Sequence, residues 1–223
     1  MKPLVKFPLC GCIGLALSFL GTDDATADAF ARGEGNSFLS FGYQAPVSNR
    51  ESREFGSLFY EYGLSPELTI GLDAGFRPGQ DDQSAVIFLR RSIFESDAPD
   101  KFAAELGVGV ANSDNTAVAL LRPGLSWGRG LQNGWVGAVS SYSFRSDGGD
   151  LAKLDVTRGF NHAGGSLSIF QIQSSKPSDG KISVSLVPSY VKKLSENVFF
   201  EVGANYSLTG DPRTFKLGLW FSN

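Results

Sequence analysis

From about residue 37 onward, apolar and polar positions alternate with a period of two, the signature of strands with one apolar face. In 68–77, Leu68, Ile70, Leu72, Ala74 and Phe76 fall on one face and Thr69, Gly71, Asp73, Gly75 and Arg77 on the other. Phe102, Ala104, Leu106, Val108 and Val110 oppose Ala103, Glu105, Gly107 and Gly109. Near the C-terminus, Phe215, Leu217, Leu219 and Phe221 oppose Thr214, Lys216, Gly218 and Trp220. The alternation template predicts about twelve strands, over 37–44, 53–63, 67–77, 84–93, 101–111, 115–127, 134–145, 151–159, 164–173, 181–192, 197–207 and 213–222. Ten is the fallback number.

The connectors carry turn residues: Ser65-Pro66, Pro78-Gly79, 146–149, 178–180 and 210–212. All are short enough for an uninterrupted antiparallel meander. Two hairpins echo each other, 62–68 and 193–198, which one turn type shared on one rim explains. Pro123 and Pro188 fall inside predicted strands, where the missing N–H breaks a ladder bond and suggests a bulge, a bend or a strand shorter than its alternation. The run 164–173 has an open register, because Leu167/Ile169 and Phe170/Ile172 lie on opposite faces.

The N-terminus has a different character. A cationic start (Lys2, Lys6), an apolar stretch from Phe7 to Gly21 and the small-x-small Ala25-Thr26-Ala27 form the three-part layout of a secretory signal. Cleavage is expected after Ala27, leaving 28–223 as one domain. Both cysteines, Cys10 and Cys12, leave with the signal.

Composition excludes several classes. The remaining chain has no cysteine and a single histidine, His162, so a disulfide scaffold, a thiol enzyme and a histidine metal cage are all ruled out. A net charge of −3 leaves no basic footprint for nucleic acid. His162 precedes Ser166 and Ser168 in a glycine-rich turn. Residues this close on one hairpin rarely present both side chains to one pocket, so no catalytic site is expected. The pairs Asp81/Asp82, Asp97/Asp100 and Asp147/Asp150 read as solvated turns rather than calcium ligands. No metal or cofactor is expected.

The face opposite the apolar one is thin, with many Gly and Ser and isolated charges near strand centres: Glu61, Asp73, Arg90, Glu105, Arg122, Lys153, Asp155, Glu201 and Lys216. A closed barrel of about twelve strands is wider than the eight-strand size that side chains fill. The apolar face is therefore expected to point outward, into lipid, and the sparse charges to line a lumen. The predicted fold is all-β, a single antiparallel up-and-down transmembrane β-barrel. Tyr60, Tyr62, Trp127, Tyr142, Tyr190, Tyr206, Trp220 and Phe221 are candidates for aromatic girdles at the two membrane interfaces. The last strand has the polar-x-Gly-x-x-aromatic character of an outer-membrane assembly signal, with Phe221 third from the end. The expected partners are outer-membrane lipid, the assembly machinery through that strand, and a small solute.

The stretch Tyr60-Glu61-Tyr62-Gly63-Leu64-Ser65-Pro66-Glu67-Leu68-Thr69-Ile70-Gly71 resembles the hairpin typical of small proteobacterial outer-membrane proteins. In particular it is similar to the outer-membrane transporter family named after the meta pathway of phenol degradation. The specific motif covers that hairpin alone, while the barrel style spans the chain after the signal. The resemblance implies a fold and an outer-membrane location, and no binding residues carry over.

Two functions suit these features. One is a channel or transporter passing small solutes by passive diffusion, with its acids and bases on opposite walls. The other is a closed structural or interaction protein whose lumen charges brace the barrel. A secreted soluble β-sandwich is a third, weaker reading. With the N-terminus periplasmic, loops near 45–52, 78–83, 112–115, 146–150, 174–180 and 208–212 face outward.

Overall fold

The computed structural model describes residues 31–47, 54–79, 82–93, 99–113, 116–210 and 213–223. The predicted signal lies outside them, as do parts of the outward loops, including Asp81 and Asp97. The strands are β1 (Ser37–Pro46), β2 (Phe55–Gly63), β3 (Leu68–Phe76), β4 (Gln83–Ser92), β5 (Asp100–Ser113) and β6 (Thr116–Leu131). They continue as β7 (Gly134–Arg145), β8 (Leu151–Asn161), β9 (Leu167–Pro177), β10 (Ser183–Lys193), β11 (Val198–Ser207) and β12 (Thr214–Ser222). Each pairs antiparallel with its chain neighbours, and β1 pairs with β12 from Phe38↔Ser222 to Pro46↔Thr214, closing a twelve-strand barrel. Closure satisfies every edge, so no strand is left to template aggregation.

β1 begins and β12 ends at one rim, here termed the terminal rim. The period-two pattern sorts the side chains as expected on the outside. Ile87, Leu106, Val108 and Leu125 are each more than half exposed on the outer wall. The inner wall differs from the expectation that apolar groups would avoid it. Phe38, Phe59, Phe88, Trp135, Leu167, Ile169, Val191, Phe199 and Trp220 form a buried cluster inside the terminal half of the barrel. The reason is large-against-small packing. The Phe88 ring lies over Gly71 and the Trp135 indole over Gly159, where a Cβ would collide with the rings. Six rings, two of them seated over glycines, span a lumen that ordinary side chains leave open.

Neither proline makes a bulge. The β6–β7 pairing lapses between Leu121↔Phe144 and Gly124↔Ser141 and resumes in the same register. The β10–β11 pairing lapses in the same way between Leu186↔Tyr206 and Ser189↔Gly203. Each strand loses pairing on one side only, since Pro123↔Leu106 and Pro188↔Phe170 persist on the other. β9 starts three residues later than predicted because Ala163–Gly165 forms a 3-10 turn, with Gly164 and Gly165 at φ +77°. Its two apolar faces are both real: Leu167 and Ile169 join the inner cluster, while Phe170 and Ile172 face outward. The echoing hairpins share one geometry. Leu64 and Ser65 N–H donate to Leu68 O at 2.8 and 3.2 Å, and Leu194 and Ser195 N–H donate to Val198 O at the same distances.

Candidate functional site: the barrel lumen

β2 to β6 carry the charged wall. Glu61 lies two residues from the terminal end of β2, and Arg90, two strands away on β4, reaches it. Arg90 Nη2 also donates to Glu105 Oε2 at 3.0 Å. Glu105 accepts from Arg122 Nη2 at 3.2 Å, and Arg122 Nη1 donates to Asp73 at 2.5 Å. Acid and base thus alternate in a ladder climbing one wall from the terminal mouth, rather than segregating to opposite walls as the channel reading expected. Arg32, which precedes β1, begins it with an ion pair to Glu61. Buried charges are tolerated only when paired and hydrogen-bonded, and alternation gives each inner member of the ladder two partners.

On the opposite wall Lys216 Nζ meets Glu201 at 2.7 Å, and Trp220 Nε1 donates to Glu201 at 3.2 Å. Beyond that pair the wall is polar and mostly uncharged, Asp155 on β8 excepted. Thr214 Oγ1 donates to Gln44 at 3.1 Å, and Gln173 Nε2 donates to Gln171 Oε1 at 2.7 Å. Thr157, Ser175, Ser185 and Ser189 are buried on the same inner face. Asp155 is buried on β8. Toward the rim opposite the terminal one, Asp73, Arg122, Arg145 and Lys153 line a cavity of about 50 Å³, room for a few waters.

All nine predicted lumen charges therefore lie on the inner wall or its cavity, and seven of them join in ion pairs with Arg32 or with one another. Arg32 escaped the sequence analysis because it lies outside any alternating run. The Gln and Ser row on β9 and β10 is period-two in sequence and was legible, but uncharged.

Of the predicted girdle residues, Tyr60, Tyr62, Tyr142, Tyr190, Tyr206 and Phe221 are exposed on the outer wall, and Trp127 is half-buried there with Nε1 donating to Asp100 at 2.9 Å. Trp220 is a correction. Its position is one step out of phase with Leu219 and Phe221, so it turns inward, 3% exposed, in an edge-to-face contact with Phe38 whose ring centres lie 5.9 Å apart.

A second correction concerns His162. Its Nε2 meets Ser168 Oγ at 2.8 Å, so the two side chains do come together. The contact is exposed at the terminal rim, beside the outward Tyr190 ring. The described acidic pairs are engaged by protein groups. Asp100 holds Arg129 at 2.8 Å, Asp147 holds Arg145 at 2.8 Å, and Asp150 accepts from Tyr142 Oη at 3.0 Å.

No protein-family model matches the chain, and no curated protein matches it. Solved structures do. The KdgM porin aligns with a TM-score of 0.62 at 9% identity, over 83% of this chain and 99% of its own. The NanC porin aligns at 0.59 and 10% identity, over 83% and 98%. An outer membrane channel from Pseudomonas putida F1 aligns at 0.60 and 11% identity, over 88% and 97%. At such identities the likeness is one of fold, the closed antiparallel barrel of outer-membrane porins.

Proposed function

We propose that this chain is an outer-membrane β-barrel channel passing small polar solutes by diffusion through a narrow lumen. The observation that carries the reading is a row of uncharged polar groups on the inner wall. Thr157 Oγ1, Gln171 Nε2 and Ser175 Oγ are buried there with no protein hydrogen-bond partner, and Thr157 and Gln171 are direct cross-strand neighbours. Buried polar atoms are almost always satisfied by protein or water. A row of them facing a charged ladder suits a path for water and small dipolar molecules, and suits poorly a core built only to be solid. The exposed apolar outer wall fits outer-membrane lipid. Residues 1–27 would direct export, and the C-terminal strand would engage the assembly machinery.

Planar-bilayer conductance of the folded protein tests this. Discrete, reproducible steps of small amplitude are expected, and silence from demonstrably inserted protein refutes the channel. The aromatic cluster filling the terminal half favours the second reading, a closed barrel acting through its rim or outer wall, which silence would support.

A further inference from the structure

The segment before β1 turns back into the terminal mouth. Arg32 is 6% exposed. Its backbone N–H donates to Thr69 Oγ1 at 3.0 Å, and its guanidinium grips Glu61 Oε2 through Nε and Nη2. The same guanidinium lies 4.9 Å from the centre of the Phe38 ring, a cation–π contact. Asn36 Nδ2 donates to Arg32 O at 3.1 Å, folding the segment on itself. Gly35 N–H donates to Gly63 O at 3.0 Å, and Gly63 N–H to Asn36 O at 2.9 Å, fastening it to the end of β2. Gly33 and Gly35 have φ of +77° and +78°, values that glycine adopts without strain. At Gly63 any Cβ would collide with Gly33 O.

Arg32 is the one member of the charged ladder that no strand carries. With it seated, Arg32, Arg90 and Arg122 balance Glu61, Glu105 and Asp73. Withdrawn, it leaves the ladder with one excess negative charge, at Glu61, next to the mouth. We propose that residues 31–36 are a gate over the terminal mouth, seated by Arg32 on Glu61, and that Arg32 sets the ion preference of the path when the gate moves. This rests on the channel reading.

The protein expressed with its full N-terminus and recovered from outer membranes in detergent provides the test, with Arg32→Ala, Glu61→Gln and Arg32→Lys. Either of the first two removes the charge-assisted fork, so exchange of the Gly35 and Gly63 amides should quicken roughly tenfold or more and mean bilayer current should rise. Selectivity should move in opposite directions, toward cations in Arg32→Ala and toward anions in Glu61→Gln. Arg32→Lys keeps the charge without the fork, so it should keep wild-type selectivity with part of the amide protection. A lower melting temperature with unchanged exchange and current overturns the gate and leaves a brace, as does a selectivity shift of the same sign in both variants. Unchanged exchange beside a conducting wild type overturns the gate and leaves the channel reading standing. Faster exchange with silence from every variant supports the seating by Arg32 and overturns the channel reading.

Discussion

Glu105 holds two guanidiniums, Arg90 at 3.0 Å and Arg122 at 3.2 Å. Its replacement by Ala strips a partner from each, and breaking a buried pair costs about 3–5 kcal/mol, so the variant should unfold in detergent at a clearly lower denaturant concentration. Gly159 is as constrained by packing as Glu105 is by charge. The Trp135 indole, fully buried, occupies the space a Cβ would need. Gly159→Ala should destabilise by about 1–3 kcal/mol through overpacking, read from the same unfolding curve. At the rim, hydrogen bonds from Arg145 and from Gly149 N–H hold the Asp147 carboxyl down to about 2, against an ordinary 3.8. A folded value below the unfolded one means that its contribution is complete above about 3.8 and is lost as pH falls toward 2. Exchange at the Gly149 amide should rise over that window, and Asp147→Asn should remove the dependence. Alternation reveals that Glu105 and Asp155 face inward. It does not reveal which cation each meets, because those partners come from other strands at a height the sequence does not state.

At the scale of elements, the two echoing hairpins show what local chemistry secures. Ser65 Oγ accepts from Glu67 N–H at 3.3 Å and Leu68 N–H at 3.1 Å, closing a turn whose backbone bonds are repeated at 194–198. Ser65→Ala should cost about 1 kcal/mol and raise amide exchange at Leu68 without altering the barrel. The repeat was visible in sequence as a shared residue pattern, and the shared geometry explains it. The prolines are visible too, and of the bulge, bend or shortened strand that they suggest, the unbroken register excludes the bulge. A proline removes one N–H, and a barrel strand with two neighbours can lose pairing on one side while the other keeps the register. β9 was misplaced because a strand apolar on both faces has no alternation to mark its start. One face packs in the lumen cluster and the other on the outer wall.

For the whole molecule, the exposed apolar outer wall predicts that the protein sediments with membranes and needs detergent for extraction. A soluble sandwich would be released without it. Arg122 lies where the charged ladder meets the cavity. Arg122→Ala should therefore shift bilayer selectivity toward cations as well as lower stability. Sequence alone determined the strands, their faces and the short antiparallel connections, because side chains alternate at every step of a strand whatever surrounds it. Tertiary structure decided what fills the lumen. Trp135 and Trp220 are ordinary strand aromatics until closure places them across from other rings, and Arg32 belongs to no strand at all. Its partners, Glu61, Thr69 and Phe38, are brought to it only when β1, β2 and β3 pair and curve into one mouth. Contacts across a barrel depend on the height and angle at which distant strands meet, and no local pattern encodes them.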